Sequence, residues 1–385
     1  MAEKEIKVAI IRKTGNLEND DRIRKEYGSL TALFPHVRFK VFMIKNDNSE
    51  EESVTSYGLP YRAVHLDSRD KYSPASHVLN KSWEFYKRIK EDIRDYDYVW
   101  NSGDEPTPTL LFIRGKKLIW DLRELPMFLL GSTPKKLILK YLFKRCCLLL
   151  HANQYRIDYL KQLGLIKNPS KHVPVRNFPE FGAVDPEYDA RYHEVKEWIG
   201  GRRCVYLQGL SNDSRAAIES ISAVLNTPGL CAIVLGGFYD KAVDVLNRKY
   251  GEDVVRERIC FAGNFRVLKV PQYMRLCQLS LVFYKNTTPN NYFCEANRLY
   301  QAIEEGLPVV VGSNPSMKAV VEDLGAGVSI DTDGSDTAMI TKGIAELLAD
   351  YDNYKKNIEN LKDEIKWDSQ KPLLKKTFES LFTKL

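Results

Sequence analysis

Short apolar runs alternate with helical patterns along most of the chain, and this alternation restricts the possible folds more than any other feature. The apolar runs cover residues 6–11, 39–44, 61–66, 98–101, 118–121 and 148–152, and then residues 204–207, 231–235, 259–262, 279–283, 309–311 and 328–330. Apolar strands that alternate with helices form parallel sheets with helices on both faces. The sequence therefore predicts an α/β protein with two doubly wound, Rossmann-like domains.

The length of the chain also indicates two domains. A chain of 385 residues, 44% of them hydrophobic, exceeds what one core usually holds. A segment containing proline and glycine at 177–182, followed by a polar stretch up to 200, indicates a connector. We predict a first domain over residues 1–180, a linker over 181–200, a second domain over 201–366 and, over 367–385, an amphipathic helix that Pro372 either starts or kinks.

Composition excludes several classes of protein. The N-terminus is charged and leads straight into a predicted strand, so we expect no secretory signal, and no apolar run approaches the ~20 residues that span a bilayer. The seven cysteines include no C-x-x-C pair and fit reduced thiols in a cytoplasmic protein. A net charge of +6 is too small for a dedicated nucleic-acid binder, so small anionic ligands or anionic lipid are the expected partners and nucleic acid is not.

The segment from Asn297 to Val311 carries the clearest binding signal. A helix is expected to begin near Asn297, whose side chain can cap free backbone N–H groups, and to end at Gly306 before a strand. The start of such a helix is an anion site, to which Arg298 adds a cation able to hold phosphate oxygens in a bidentate manner. One turn later, Gln301 is placed to hydrogen-bond a neutral diol such as ribose. The alternative is an ordinary amphipathic helix leading into a buried strand.

This segment resembles the donor-binding helix of GT-B glycosyltransferases, particularly the retaining family 4, whose pattern reads roughly N-K-L-x-E-x-x-x-x-G-x-P-V-V. Arg298 stands in the lysine place, and Gln301 stands in the place of the glutamate that binds ribose hydroxyls in the family. The first glutamate of the family's E-x7-E motif falls on Phe293, with Glu295 two residues away. The resemblance implies a GT-B architecture, in which two Rossmann-like domains face each other across a cleft and the C-terminal helix returns to the first domain.

Two further segments of the first domain are assigned to the acceptor side or to the cleft. The loop with Thr14 and Gly15, followed by Asp21 and Arg22, is similar to the family's first loop and helix start. The alternative for this loop is a plain helix cap with salt-bridged charges. Asp104 follows another predicted strand end and is assigned to the same side.

Arg123 and Glu124 follow the strand end that resembles the family's D-x-H-E motif, beside the donor sugar, and are assigned to the acceptor side or to the cleft. Arg123 replaces the family's histidine, so a titratable group is exchanged for a permanent cation that can hold a phosphate or an acidic acceptor. The alternative is that Arg123 and Glu124 simply pair with each other at the surface.

The resemblance assigns residues of the second domain to the donor. Arg215, which opens a predicted helix, lies where relatives neutralise the leaving diphosphate, and residues 263–267 are similar to the loop that reads the nucleobase, with a plain turn as the alternative. We predict catalytic roles for Arg215, Arg298 and Glu295. The predicted donor-binding residues are Gly209, Phe265, Arg266, Val267, Ala296, Asn297, Leu299 and Gln301, and Tyr292 is predicted to line the cleft.

Metal chemistry finds little support in the sequence. The D-x-D spellings at 95–97 and 331–333 stand before a strand and at a helix cap, whereas the other major glycosyltransferase fold holds its divalent ion with such a motif at a strand end. The six histidines show no pair at helical spacing, which argues against zinc and against Ser/His chemistry. We expect no metal and no cofactor, with a nucleotide-diphosphate sugar as co-substrate.

One predicted helix has the character of a membrane-surface helix. Lys136, Lys140 and Lys144 recur every four residues on a helix that is otherwise apolar. Such a helix can lie in a lipid interface, which leads to the hypothesis that the first domain touches an anionic inner leaflet. The alternative is a buried helix with one charged edge in water.

These features favour a glycosyltransferase that moves a sugar from a nucleotide-diphosphate donor to a hydroxyl of a saccharide or lipid-linked saccharide acceptor. The resemblance implies retention of anomeric configuration, no essential metal and a role in surface polysaccharide or glycolipid synthesis. The expected location is the cytoplasm, with peripheral attachment at the inner face of the cell membrane. Two alternatives stay open: a GT-B binding protein with a decayed site that partners an active transferase, and a nucleotide-sugar epimerase on the same fold.

Overall fold

The computed structural model describes residues 5–13, 15–45, 49–73, 76–103, 107–180, 185–265, 267–361 and 364–383. The chain divides into two compact units, of which the first comprises Met1–Asn177 with Gln370–Leu385 and the second comprises Phe178–Ser369. Each unit contains a largely parallel sheet with helices between successive strands, so the predicted α/β class is confirmed.

The first unit is built on an eight-stranded sheet with the order β3-β4-β2-β1-β5-β6-β7-β8. All neighbouring pairs are parallel except β3 and β4, which are antiparallel at the edge. Its elements are β1 (Ile6–Arg12), α1 (Asp21–Leu33), β2 (Val37–Ile44), β3 (Glu51–Val54), β4 (Pro60–Val64), α2 (Asp67–Lys71), α3 (Val78–Ile89), β5 (Tyr98–Ser102), β6 (Lys117–Leu122), α4 (Met127–Leu130), α5 (Thr133–Arg145), β7 (Cys146–His151), α6 (Gln154–Gln162) and β8 (His172–Pro174).

The second unit is built on a six-stranded parallel sheet with the order β11-β10-β9-β12-β13-β14. The chain then ends in a helix that belongs to the first unit. The elements are α7 (Ala190–Ile199), β9 (Arg203–Gln208), α8 (Ala217–Asn226), β10 (Leu230–Leu235), α9 (Asp240–Tyr250), α10 (Glu252–Arg258), β11 (Ile259–Gly263), α11 (Val270–Met274), β12 (Leu279–Val282), α12 (Pro289–Tyr292), α13 (Asn297–Glu304), β13 (Val309–Val311), α14 (Pro315–Leu324), β14 (Gly327–Ser329), α15 (Thr337–Ala349), α16 (Tyr351–Leu361) and α17 (Lys371–Phe382).

All twelve predicted strands are present, with ends that differ from the prediction by at most two residues. The sequence did not predict β3 and β8, and both are short. β3 is an exposed edge strand that begins with two glutamates, and β8 ends in a proline. Neither strand has the continuous apolar run that marks the buried strands of a parallel sheet.

The polar stretch predicted as a connector contains α7, which packs into the second unit. Asp189 caps this helix by accepting a hydrogen bond from the backbone N–H of Tyr192, and Val195 and Ile199 are buried in the core. Polar residues dominate the outer face of α7, and this explains why the segment looks like a linker in the sequence. Residues 181–184 lie outside the described part of the chain.

α17 completes the core of the first unit, so the predicted return of the C-terminal helix is confirmed. Pro372 lies in its first turn and therefore starts the helix instead of kinking it. Phe378 stacks on Trp100 of β5 at 5.4 Å between ring centroids, and Phe382 meets Phe34 edge to face at 5.4 Å. All four of these aromatic side chains are buried.

Replacing Phe378 with alanine should lower the free energy of unfolding of the first unit by roughly 3 to 5 kcal/mol, because a buried aromatic ring is lost and a cavity remains beside Trp100. Urea unfolding followed by circular dichroism measures the effect. Lys375→Ala, on the exposed face of the same helix, is the matched control. Equal midpoints for the two variants would show that α17 is not part of this core.

A pair of buried histidines joins two neighbouring strands of the first unit. Nε2 of His151, at the end of β7, lies 2.9 Å from Nδ1 of His172, at the start of β8. One ring must therefore donate and the other accept, so at least the accepting ring is neutral. Burial lowers the pKa of His172 to about 4 and holds the pKa of His151 well below its usual value.

Because these pKa values lie below those of the unfolded chain, the unfolded state binds more protons, and stability should fall as the pH drops below about 6.5. Between pH 7 and pH 5, the two histidines should together cost roughly 2 to 4 kcal/mol of unfolding free energy. The measurement is urea unfolding of the wild type and of the double variant His151→Gln, His172→Gln at both pH values. The difference between the two proteins should shift in favour of the variant at pH 5, and a pH-independent difference would contradict the neutral pair.

Candidate functional site

The donor helix predicted from the sequence is α13, and both of its ends bear on the site. Gly306, just beyond its end, adopts a φ of +80°, which confirms the predicted left-handed stop. At the start, the N-cap is Ala296, which offers no side-chain hydrogen bond, and Asn297 is an exposed first helical residue. Asn297 is therefore not the cap that the sequence suggested, and the first turn of α13 has no side-chain acceptor on its backbone N–H groups.

Arg298 lies in this first turn and is buried, with 6% of its surface exposed. One terminal nitrogen donates to the carbonyl of Gln208 at the end of β9, and the other donates to the carbonyl of Phe283, just after β12, at 2.9 Å. Both amino groups that were predicted to grip a phosphate are thus engaged with backbone. Burial, together with the nearby Arg215, lowers the pKa of Arg298, which stays a cation because arginine titrates far above neutrality. Its charge remains at the site even though both terminal nitrogens are bound to backbone, and its Nε–H is buried without a partner among the described residues.

Arg215 is the cation with available donors. It is half-buried at the end of the short 3₁₀ helix Asp213–Arg215, and its guanidinium makes no hydrogen bond within the described part of the chain. Ala216, the next residue, has a left-handed φ of +52° and turns the chain into α8. A Cβ atom on Gly209 would lie 3.7 Å from Nη1 of Arg215, which places the guanidinium beside the loop that follows β9.

The ring of Tyr284 holds these two arginines together. The guanidinium carbon of Arg215 lies 4.6 Å from the ring centroid and that of Arg298 lies 5.0 Å from it. Cations near an aromatic face are stabilised by its quadrupole, more so when they are desolvated. Burial is the main cause that raises the pKa of Tyr284, so its ring stays neutral.

Two further contacts fix the loop that carries Tyr284. Nζ of Lys285 lies 2.8 Å from carboxylate oxygens of both Asp213 and Glu219, which binds the loop to the start of α8. Nδ2 of the buried Asn314 donates to the carbonyl of Tyr284 at 3.0 Å. Asn314 was missed in the sequence analysis, and its position just before a proline that starts a helix after a buried strand is the only signal it gives.

The other predicted donor residues differ in whether their polar groups already have a partner within the protein. Gln301 is half-buried one turn after Arg298, and no described residue hydrogen-bonds its amide. Glu295 accepts a hydrogen bond from the Tyr300 hydroxyl at 2.6 Å, which orients its carboxylate. Leu299 is fully buried in the core, and its backbone N–H donates to the carbonyl of Ala296.

The remaining predicted residues of the second unit lie around its sheet edge. Phe265 follows β11, and its ring lies 4.3 Å from that of Tyr273. Val267 begins a short 3₁₀ helix, and Tyr292 ends α12 with 40% of its surface exposed. Three predicted site residues, Thr14, Asp104 and Arg266, lie outside the described residues.

In the first unit, Asp20 organises the predicted acceptor residues. Its carboxylate accepts two hydrogen bonds from Arg123 at 3.0 and 3.1 Å, lies 2.5 Å from Nη2 of Arg12 and caps α1 at the N–H of Ile23. Burial opposes ionisation of Asp20, but the two arginines outweigh it and lower the pKa. Arg123 also donates to Asp121 at 3.1 Å, so its cation is neutralised by protein carboxylates.

Arg22 and Glu26 extend this network into the interior. Nε of Arg22 lies 2.5 Å from a Glu26 oxygen, and Nη1 donates to the carbonyl of Val175 at 2.9 Å. Burial raises the pKa of Glu26 to about 7, with the Asp121 carboxylate adding to the effect and Arg22 opposing it. Arg22 is therefore a structural cation within the unit.

Three other predicted acceptor residues are nearer the surface. Asp21 pairs with Lys25 at 2.6 Å while its own side chain is 39% exposed, and Gly15 is exposed. Glu124 does not pair with Arg123 but with Arg156, at 2.9 Å. The surface pair considered as an alternative is thus absent.

Neither a metal cluster nor a membrane-spanning helix occurs in the part of the chain that the structure describes. Residues 5–13, 15–45, 49–73, 76–103, 107–180, 185–265, 267–361 and 364–383 contain no group of three or more His, Cys, Asp or Glu placed to hold an ion. In the same ranges, every helix is too short or too polar to cross a bilayer. Lys136, Lys140 and Lys144, the predicted membrane contacts, lie along α5.

Comparison with known proteins gives a result at the level of structure. No protein-family model and no curated protein sequence matches the chain. Solved structures do match it over nearly its whole length. Sucrose-phosphate synthase from Thermosynechococcus elongatus is 14% identical at a TM-score of 0.73, and the match covers 98% of this chain and 99% of that one.

Two further matches are similar in extent. The Anabaena protein HepE in complex with UDP is 13% identical at a TM-score of 0.72, covering 97% of this chain and 100% of that one. A UDP-forming alpha,alpha-trehalose-phosphate synthase from Burkholderia vietnamiensis is 11% identical at a TM-score of 0.71, covering 98% and 99%. These identities show the fold alone. The chain has the GT-B fold that its sequence predicted, and the narrower resemblance to the retaining family 4 stays a prediction.

Proposed function

We propose that this protein transfers a glycosyl group from a nucleoside-diphosphate sugar to a hydroxyl of a saccharide acceptor. The observation that carries the proposal is the arrangement around Tyr284. There, Arg215 keeps its guanidinium donors available beside the buried cation of Arg298, in the first turn of α13. In open parallel sheets, ligands bind beyond the carboxyl ends of the strands, where this arrangement lies.

The diphosphate would occupy the space in front of Arg215. Arg215 would donate directly to phosphate oxygens, and the free N–H groups at the start of α13 would add further donors. Arg298 would act through its charge, because its terminal nitrogens bind the carbonyls of Gln208 and Phe283. Gln301, one turn later with a free amide, would accept and donate to the ribose hydroxyls.

UDP is the first candidate for the donor nucleotide. The matched Anabaena protein was solved with UDP and with UDP-glucose, and the matched Burkholderia enzyme is named as UDP-forming. The fold is shared with these proteins, which supports the same nucleotide class here. The neutral amide of Gln301 can both accept from and donate to the hydroxyls of a ribonucleotide.

Bond cleavage would place negative charge on the leaving diphosphate. Arg215 and the α13 amides would donate hydrogen bonds to that charge, and the positive charge of Arg298 would stabilise it from a distance. Such preorganised groups often make the largest single contribution to lowering the activation barrier. The acceptor oxygen forms the new bond to the anomeric carbon, and its proton passes to the departing phosphate. We propose that this occurs with retention and without an essential metal.

The acceptor is proposed to bind at the first unit. Arg123 and Arg22 are neutralised by Asp20, Asp121 and Glu26, so an acidic acceptor would not find an open cation there. A neutral saccharide bound through its hydroxyl groups fits better. We propose an acceptor from polysaccharide or glycolipid synthesis and a cytoplasmic location, where nucleotide sugars are available.

Replacing Arg298 and replacing Arg215 should lower the free energy of unfolding by different amounts. Arg298→Met leaves two buried carbonyls without donors and should lower the free energy of unfolding by roughly 2 to 5 kcal/mol. Arg215→Met removes only the contact with the Tyr284 ring and should cost about 1 kcal/mol or less. Denaturant unfolding of both variants decides the point, and equal losses would mean that Arg298 does not hold the strand ends together.

Arg215 should also be required for activity. Arg215→Met should reduce kcat/KM for sugar transfer from a UDP-sugar by about 10²- to 10³-fold, in line with the loss of one transition-state donor. Arg256→Met, which removes an exposed arginine elsewhere in the second unit, is the control and should leave activity unchanged. Wild-type turnover in Arg215→Met would refute the assignment.

A thermal-shift screen of UDP, GDP, ADP and TDP sugars identifies the donor for that assay, because a ligand that binds only the folded state raises the melting temperature. Stabilisation without transfer would support the binding-protein alternative. Loss of the starting sugar configuration with no acceptor present would support the epimerase.

A further inference from the structure

α5 exposes an apolar stripe that the sequence alone did not resolve. Leu139, Leu142 and Phe143 are buried against the first unit, as expected for a packed helix. On the opposite side, Leu137 is 60% exposed, Ile138 38% and Tyr141 45%. The helix is thus apolar on two faces. The alternative of a buried helix that shows only a charged edge to water does not describe it.

Basic residues border this exposed stripe and acidic ones are missing from it. Lys136, Lys140 and Lys144 follow one another at intervals of one turn beside the apolar side chains. The sequence from 125 to 157 contains four lysines and two arginines and no aspartate or glutamate. α5 itself contains all four of these lysines and one of the two arginines, so its exposed side attracts anions.

The segment that follows β5 contacts both α5 and α3. Nη1 of Arg114 donates to the Tyr141 hydroxyl at 3.1 Å. Two residues earlier, Phe112 lies 5.0 Å from the ring of Trp83 on α3, and Trp83 is 45% exposed. We call the set formed by Trp83, Phe112, Arg114, Leu137, Ile138 and Tyr141 with the three flanking lysines the basic–aromatic face.

The nearest acidic side chain on α3 does not oppose this charge. Both carboxylate oxygens of Glu84 accept backbone N–H groups, from Asp67 at 2.7 Å and from Ser68 at 3.0 Å, so Glu84 is held at the start of α2. The exposed residues one turn from Trp83 on α3 are Leu79, Asn80 and Lys87, and Nζ of Lys87 lies 5.9 Å from the Trp83 ring centroid.

We propose that the basic–aromatic face docks on an anionic lipid bilayer. Exposed aliphatic and aromatic side chains bordered by lysines match the two halves of a lipid interface, in which apolar groups enter the acyl boundary and cations meet the headgroups. Tryptophan and tyrosine are the residues that favour this boundary. The inference deepens the proposed function by naming the surface at which a lipid-linked acceptor would be reached, and its test requires neither donor nor acceptor.

The experiment is cosedimentation of the full chain with vesicles of phosphatidylcholine alone and of phosphatidylcholine mixed with phosphatidylglycerol, at low and high salt. The wild type should bind the anionic vesicles, bind the neutral ones far more weakly, and lose binding as salt screens the lysines. The triple variant Lys136→Gln, Lys140→Gln, Lys144→Gln should bind about a hundredfold more weakly, since each lysine near an anionic surface is worth about fivefold.

A second triple variant is the control for charge, and a double variant tests the apolar side chains of the face. Lys241→Gln, Lys375→Gln, Lys376→Gln removes the same charge from exposed positions outside the face and should bind like the wild type. Leu137→Ser, Ile138→Ser removes exposed apolar groups, so the protein stays folded, and it should bind at least tenfold more weakly at unchanged net charge.

Three results would overturn the proposal. The first is no sedimentation of the wild type with anionic vesicles at low salt. The second is equal loss in both lysine triple variants, which would show unspecific attraction of a basic protein. The third is a self-associated wild type that becomes monomeric in Leu137→Ser, Ile138→Ser without vesicle binding in either protein, which would make the face a protein interface. None of these would alter sugar transfer from a soluble donor, so the two proposals fail separately.

Discussion

Arg298 places a full positive charge where water has little access, and the second unit has to compensate for it. A buried cation is costly unless hydrogen bonds and local dipoles replace its hydration. Here two strand-end carbonyls and an aromatic ring supply that replacement, and in return the guanidinium fixes the ends of β9 and β12 relative to α13. The start of α13, Tyr284 and Arg215 are arranged around this one charge.

The first unit also holds arginines at the edge of its sheet, but it compensates their charge in a different way. Its arginines at the sheet edge are matched by carboxylates, chiefly Asp20 and Asp121, and not by backbone dipoles. Its arginines are paired with carboxylates, whereas Arg215 and Arg298 of the second unit form no ion pair with a carboxylate of the described residues. A ligand with a diphosphate is therefore expected at the second unit and a ligand rich in hydroxyl groups at the first.

The fold could be predicted well from the sequence, because the buried strands of a parallel sheet consist of continuous apolar runs. The same rule explains why β3 and β8 were missed, since an exposed charged edge strand and a three-residue strand carry no such run. At the site, the helix end at Gly306 could be predicted from the sequence, because a left-handed backbone conformation favours glycine. The burial of Arg298 could not be predicted from the sequence. Whether an arginine faces a ligand or a carbonyl depends on loops distant in sequence, such as those after β9 and β12.

The position of α17 has a consequence for the order in which the molecule can assemble. Phe378 and Phe382 fill the aromatic core around Trp100 and Phe34, yet the ribosome makes them only after all of the second unit. Until then the nascent first unit presents a bare apolar patch, and domains that begin to fold during synthesis are vulnerable to aggregation at such patches. The second unit can fold in the meantime, and chaperone contact is expected to fall on the half of the protein that was made first.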